Sequence, residues 1–140
     1  MTLSRLRSSG TVLTLTALIG FAVSLIGCAS AGPVTPVGVS DVKTVAGTWK
    51  GMVYQSGVAP DYVTLTIQED GSYEVKSVQA IGTSRGNGKI VVSEGRLLFE
   101  GVKGRGVGTL QRNPAGDLVM TVDATLSDDS TLSAKLWPSQ

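Results

Sequence analysis

From Gly47 to the C-terminus the apolar residues recur at every second position, and turn residues interrupt them at short intervals. No stretch of ten residues in this part offers a 3.6-residue repeat, so strands are expected and helices are not. Eight strands can be read. They are Gly47 to Tyr54, Tyr62 to Gln68, Ser72 to Ala80, Lys89 to Ser93, Arg96 to Glu100, Arg105 to Arg112, Asp117 to Ala124 and Thr131 to Trp137. Val63, Leu65 and Ile67 share one face of the second, and Leu132, Ala134 and Leu136 one face of the last. Asp70-Gly71 is a hairpin signal because Asp-Gly accepts positive φ. The third strand loses its alternation near Ser77-Val78, which predicts a bulge, and Gly82 to Gly88 reads as a glycine-rich loop. Short strands joined by consecutive hairpins predict an all-β fold, an eight-stranded antiparallel up-and-down barrel that closes on itself and removes its edges.

Composition narrows the chemistry. The chain has 140 residues, no His, one Cys, and 12 Lys and Arg against 11 Asp and Glu. Without His, the common imidazole bases and triads have no residues to work with. A lone Cys leaves no zinc site of the usual kind. Near-neutral charge argues against nucleic acid, which requires a basic surplus to displace counterions. Gly82 to Ile90 fails as a phosphate loop, with Thr83 and Ile90 where Gly and Ser or Thr are needed. Gly104-Arg-Gly-Val-Gly108 leads into a strand and so fails as a dinucleotide fingerprint. Ser133 and Lys135 share a strand face, and Asp128-Asp129 forms part of a polar turn; both are expected to face solvent. No catalytic residue, cofactor or metal is expected.

The N-terminal segment is an address. Arg5 and Arg7 precede an uncharged, largely apolar stretch from Thr11 to Gly27. At 16 residues, Thr11 to Ile26 falls short of the roughly 20 needed to span a bilayer, and the pattern is that of a signal peptide. The stretch ends in Leu25-Ile26-Gly27-Cys28, which resembles the lipobox of bacterial lipoproteins, with the only Cys of the chain in the last slot. The resemblance implies cleavage between Gly27 and Cys28, a diacylglyceryl group on the Cys28 thiol and acylation of the new amino terminus. Two or more acyl chains anchor stably where one does not. Ala29 at the next position leans towards the outer membrane in a cell with two membranes. Ala29 to Asp41 mixes Gly, Pro and Ser without period and reads as a tether. The expected division is a signal peptide over 1–27, lipidated Cys and tether over 28–43, and a barrel over 44–140.

Gly47-Thr48-Trp49 at the start of the first strand, followed by an eight-strand meander, resembles the G-x-W opening of the lipocalin and calycin group of small-ligand barrels. In that group an Arg of the closing strands packs over the Trp; here the last strand offers Lys135. The resemblance makes Trp49 a candidate ligand or core anchor, and strand parity, which turns Tyr73 and Phe99 inward, adds those two. By parity Trp49 points inward and Trp137 outward. Arg85, Lys89, Arg96, Lys103, Arg105 and Arg112 outnumber Glu94 and Glu100 over 85–112, a candidate basic patch for lipid phosphates or an acidic partner. Strands of about seven residues argue for a filled interior. The expectation is therefore a non-enzymatic, monomeric, membrane-anchored lipoprotein of the bacterial envelope with a binding or interaction domain. Its alternatives are an inhibitor or accessory of an extracytoplasmic enzyme or assembly, and a carrier of a small apolar ligand.

Overall fold

A computed structural model describes residues 32–79 and 82–140; Gly27 and Cys28 lie outside the described residues. The chain forms β1 (Thr35–Val37), a 3-10 turn (Val42–Val45), β2 (Gly47–Gln55), β3 (Asp61–Ile67), β4 (Ser72–Gln79), β5 (Gly82–Ser93), β6 (Arg96–Gly101), β7 (Gly104–Arg112), β8 (Leu118–Leu126) and β9 (Thr131–Ser139). Strands β2 to β9 pair antiparallel in chain order. β9 then returns to β2, in register from Thr48 opposite Ser139 to Gln55 opposite Leu132. The eight-stranded meander barrel is closed, and β1 is a ninth strand laid on its outside edge.

The tight turns follow from their residues. Gly71 has φ 82°, and Asp70 before it accepts hydrogen bonds from the backbone N–H and hydroxyl of Ser72 and from Lys89. Those bonds favour the ionised form and hold the Asp70 carboxyl at about 2. Glu94 and Gly95, with φ 51° and 76°, make the two-residue β5–β6 turn with both central residues at positive φ.

Two local expectations change. β4 carries no bulge: its register with β3 is continuous from Val63 opposite Ser77 to Ile67 opposite Tyr73, and with β5 from Ser72 opposite Lys89 to Gln79 opposite Gly82. The alternation fails at Ser77 because a polar side chain occupies an inward position, where it donates to Asp61. Nor is Gly82 to Gly88 a loop. It is the first half of the 12-residue β5, extended because β4 supplies a full ladder of hydrogen bonds along it.

The chain also joins the fold earlier than its composition implies. β7 continues past the end of its pairing with β6 at Leu97 opposite Gly108, and β1 takes the exposed edge, with Thr35 opposite Arg112 and Val37 opposite Leu110. Pro36 is tolerated because β1 is itself an edge. Val39 then donates its N–H to Gly95 and buries its side chain in the core. Asp41 caps the 3-10 turn by accepting from the Lys43 N–H at 2.9 Å, and Val45 closes over the barrel end. Residues 35–45, read partly as tether, are thus a plug. A chain beginning at Thr44 is expected to lose about 2–4 kcal/mol relative to one beginning at Gly32, from the exposed Val39 site and the unpaired β7 edge. Urea unfolding followed by circular dichroism checks this, and equal midpoints would show that 32–43 is only a tether.

Candidate functional site

Inward parity gives the barrel two unlike halves. At the end capped by the plug, Val39, Val45, Trp49, Ile67, Ile90, Leu97, Leu110 and Met120 belong to one buried cluster. Trp49 is 3% exposed, and its indole N–H donates to the Val45 carbonyl at 2.9 Å, so the ring ties β2 to the plug. Trp49 is core: it does not line the cavity described next.

Towards the opposite end the inward positions become small. Gly86 on β5, Gly104 and Gly106 on β7, Ala124 on β8 and Ala134 on β9 face a cavity of about 280 Å³. Val53, Val63, Leu65, Val75, Val122 and Leu132 supply most of its apolar wall. The expectation of a filled interior is therefore corrected. The strands are longer than read, with nine residues in each of β2, β7, β8 and β9, and the inward glycines leave the added length unfilled.

Tyr73 and Phe99 separate the halves. Their rings meet edge to face with centroids 5.2 Å apart, and both line the cavity. Glycine makes this packing possible, since a Cβ at Gly108 would stand 2.8 Å from the Phe99 ring. The Tyr73 hydroxyl likewise occupies the space where a Cβ at Gly101 would be. Partial burial pushes the Tyr73 phenol above its usual range, so it is a neutral donor at physiological pH.

Polar groups on the wall are few. Asp61 accepts from the Ser77 hydroxyl and from the Tyr62 N–H; Gln55 donates to the Ser130 hydroxyl at 3.1 Å. The sequence reading missed Asp61, Ser77 and Gln55, although parity with Val63, with Tyr73 and Val75, and with Val53 places each of them inward.

The six basic residues do not form one face. Lys89 pairs with Asp70 at 3.1 Å and Arg96 with Glu94 at 3.3 Å. Both pairs are exposed and add little stability. Arg112, at the plugged end, donates to the Gly116 carbonyl at 3.0 Å. Arg85, Lys103 and Arg105 border the cavity at its open end. They stand outside the ion pairs found among the described residues, the third of which joins Lys76 to Glu74.

The remaining candidates lie on the surface. Asp128 accepts from the N–H and hydroxyl of Ser130, which holds its carboxyl below the usual range and makes it a turn cap. Lys135 lies on the outside with its ammonium 5.6 Å from the centre of the Trp137 ring. Among the described residues no cluster of three or more Asp, Glu or Cys side chains is arranged to hold a metal ion.

Compared with known proteins, the chain matches no family model, no curated protein and no solved structure.

Because Trp49 braces the plug and does not face the cavity, Trp49→Phe is expected to lower stability by about 2 kcal/mol through the lost hydrogen bond and packing. Affinity for an apolar probe should stay within twofold or so of wild type. Denaturant unfolding and probe titration on the same variant check both, and a large loss of binding without loss of stability would move Trp49 into the site.

Proposed function

We propose that this chain is a bacterial envelope lipoprotein, anchored through acylated Cys28, whose barrel binds a small apolar ligand and performs no catalysis. The observation that carries the binding reading is the apolar cavity of about 280 Å³, plugged at one end and bordered by cations at the other. Its volume lies near the lower end of the range for small-molecule sites, about 300–1,000 Å³. Asp61, the carboxylate on the wall, is engaged with Ser77 and the Tyr62 N–H, and the Gln55 amide with Ser130, which suits a lining that orients a ligand. The anchoring reading rests on Leu25-Ile26-Gly27-Cys28 after an uncharged apolar stretch. It favours the outer membrane where the cell has two.

A second reading, as inhibitor or accessory of an extracytoplasmic enzyme or assembly, draws on the outer face of β9, β2 and β3. Tyr54, Tyr62 and Trp137 are 49%, 54% and 39% exposed there. Register sets Met52 opposite both Tyr62 and Lys135, and Trp137 opposite Lys50. Aromatic groups in such a position suit a protein contact.

Two experiments test the leading reading. A Cβ at Gly86 would meet nothing within 4 Å, so Gly86→Leu should fill the cavity while the barrel stays folded. Binding of the neutral fluorophore N-phenyl-1-naphthylamine is then expected to fall by about tenfold or more. Unchanged binding would place the probe elsewhere and remove the cavity from the function. Independently, Cys28→Ala should abolish incorporation of a fatty-acid analogue and processing after Gly27, because no other thiol exists to take the lipid. Persistent label on that variant would overturn the lipoprotein assignment.

A further inference from the structure

The chemistry of the mouth says which apolar ligand the cavity suits, and this inference rests on the cavity-binding reading above. At about 30 Å³ for each group the size of a water molecule, a cavity of about 280 Å³ holds a single chain of about nine methylene-sized units. One short acyl chain fits. The two long chains of a membrane lipid do not.

The plug determines which end of such a chain enters first. Trp49, Val45 and Val39 seal the far end with apolar side chains, so a polar headgroup has no partner there and would be left dehydrated. The tail goes in, against Val53, Leu65, Val75 and Leu132, and the head remains at the mouth.

The mouth is not electrically uniform. β6 ends at Gly101, opposite Gly88 on β5, so Arg85, three residues back along β5, stands level with the β6–β7 turn that holds Lys103. Arg105 follows on β7. The Tyr73 hydroxyl, in front of Gly101, adds a neutral donor in the same sector. Glu100, the Cα partner of both Lys89 and Arg105, shares the outward parity of Arg105 and Arg85 and makes no ion pair among the described residues; the turn that carries Asp128 and Asp129 stands beside Lys103, whose carbonyl accepts from the Ser127 N–H. Asp61 is the carboxylate that lines the cavity, and it belongs to β3, two strands from β5 and four from β7 around the barrel. Its oxygens already accept from Ser77 and from the Tyr62 N–H. Among the charged residues that line the cavity, an anion at the β5–β7 sector thus meets three cations, a hydroxyl and, two strands from β5, one carboxylate already engaged by Ser77, whereas a cation there meets three like charges.

The geometry points to a single-chain amphipathic anion of medium length as the ligand, with its tail in the barrel and its carboxylate-like head beside Arg85, Lys103, Arg105 and the Tyr73 hydroxyl. The cations reach the head from the rim, as long side chains with apolar stems do. They contribute charge-assisted hydrogen bonds that a neutral head of the same length receives only weakly.

The test is calorimetric titration of the full chain with three probes of equal tail length: decanoate, decan-1-ol and decylamine. Decanoate is expected to bind about tenfold more tightly than decan-1-ol, with decylamine weakest. In the triple variant Arg85→Gln, Lys103→Gln, Arg105→Gln, on exposed positions that leave the core untouched, decanoate and decan-1-ol should converge. High salt should shrink the same preference in the wild type, because the cations are at the surface. Equal affinity of the wild type for decanoate and decan-1-ol overturns the anion inference while leaving the cavity reading intact, and so does a decanoate preference that survives in the triple variant. Failure of all three probes to bind overturns the cavity reading itself.

Discussion

Pairing of β9 with β2 is the constraint on which the rest depends. An open eight-stranded sheet would leave the N–H and C=O groups of two edge strands unpaired and would expose one whole apolar face. Closing it satisfies both rows at once and creates an inside. Gly51 shows how close the closure is: a Cβ there would run into the Lys135 carbonyl of β9, so the two strands meet only because position 51 has no side chain. Once the cylinder exists, every inward residue competes for one limited volume, and the cavity is what that competition leaves.

The competition is settled differently along the axis. In the plugged half Leu97, Met120, Ile67 and Trp49 are large enough to meet across the barrel. In the other half Gly86, Gly104, Gly106, Ala124 and Ala134 are too small to do so. Tyr73 and Phe99 stand at the boundary, and their edge-to-face contact gives the cavity a rigid inner wall. The packed core and the open volume therefore lie in different halves of one barrel. The plug allows this, because β1, Val39 and the 3-10 turn bury apolar area at the end where side chains already meet.

Towards the plugged end Lys89 pairs with Asp70 and Arg96 with Glu94, while Lys43, Lys50 and Arg112 there, like Arg85, Lys103 and Arg105 at the mouth, stand outside the ion pairs found among the described residues. Unpartnered cations at the edge of an apolar hollow cost little while hydrated. They gain most when an anion arrives with a tail that removes water from the hollow.

Much of this was legible along the chain. Alternation in Val63-Leu65-Ile67 and Leu132-Ala134-Leu136 and the Asp70-Gly71 turn specify strands and hairpins because side-chain direction in a strand has period two and needs no knowledge of neighbours. Trp49 inward and Trp137 outward followed from parity alone. β5 was hidden, since a run of glycines looks like a loop until β4 lies beside it. β1 was hidden too, because Pro33, Pro36 and Gly38 mask the alternation of Val37 and Val39, and only the overhang of β7 beyond β6 makes an edge for them. The split of the basic residues depended on which strand end each reaches, a matter of register across β5, β6 and β7. The sequence by itself determined most of the strands, their turns and the faces they present, all local matters. Only the tertiary structure decided that the glycines meet to leave a cavity, that the N-terminal residues plug its far end and that three cations gather at its mouth. Those are properties of distances between residues far apart in the chain, and barrel closure sets those distances.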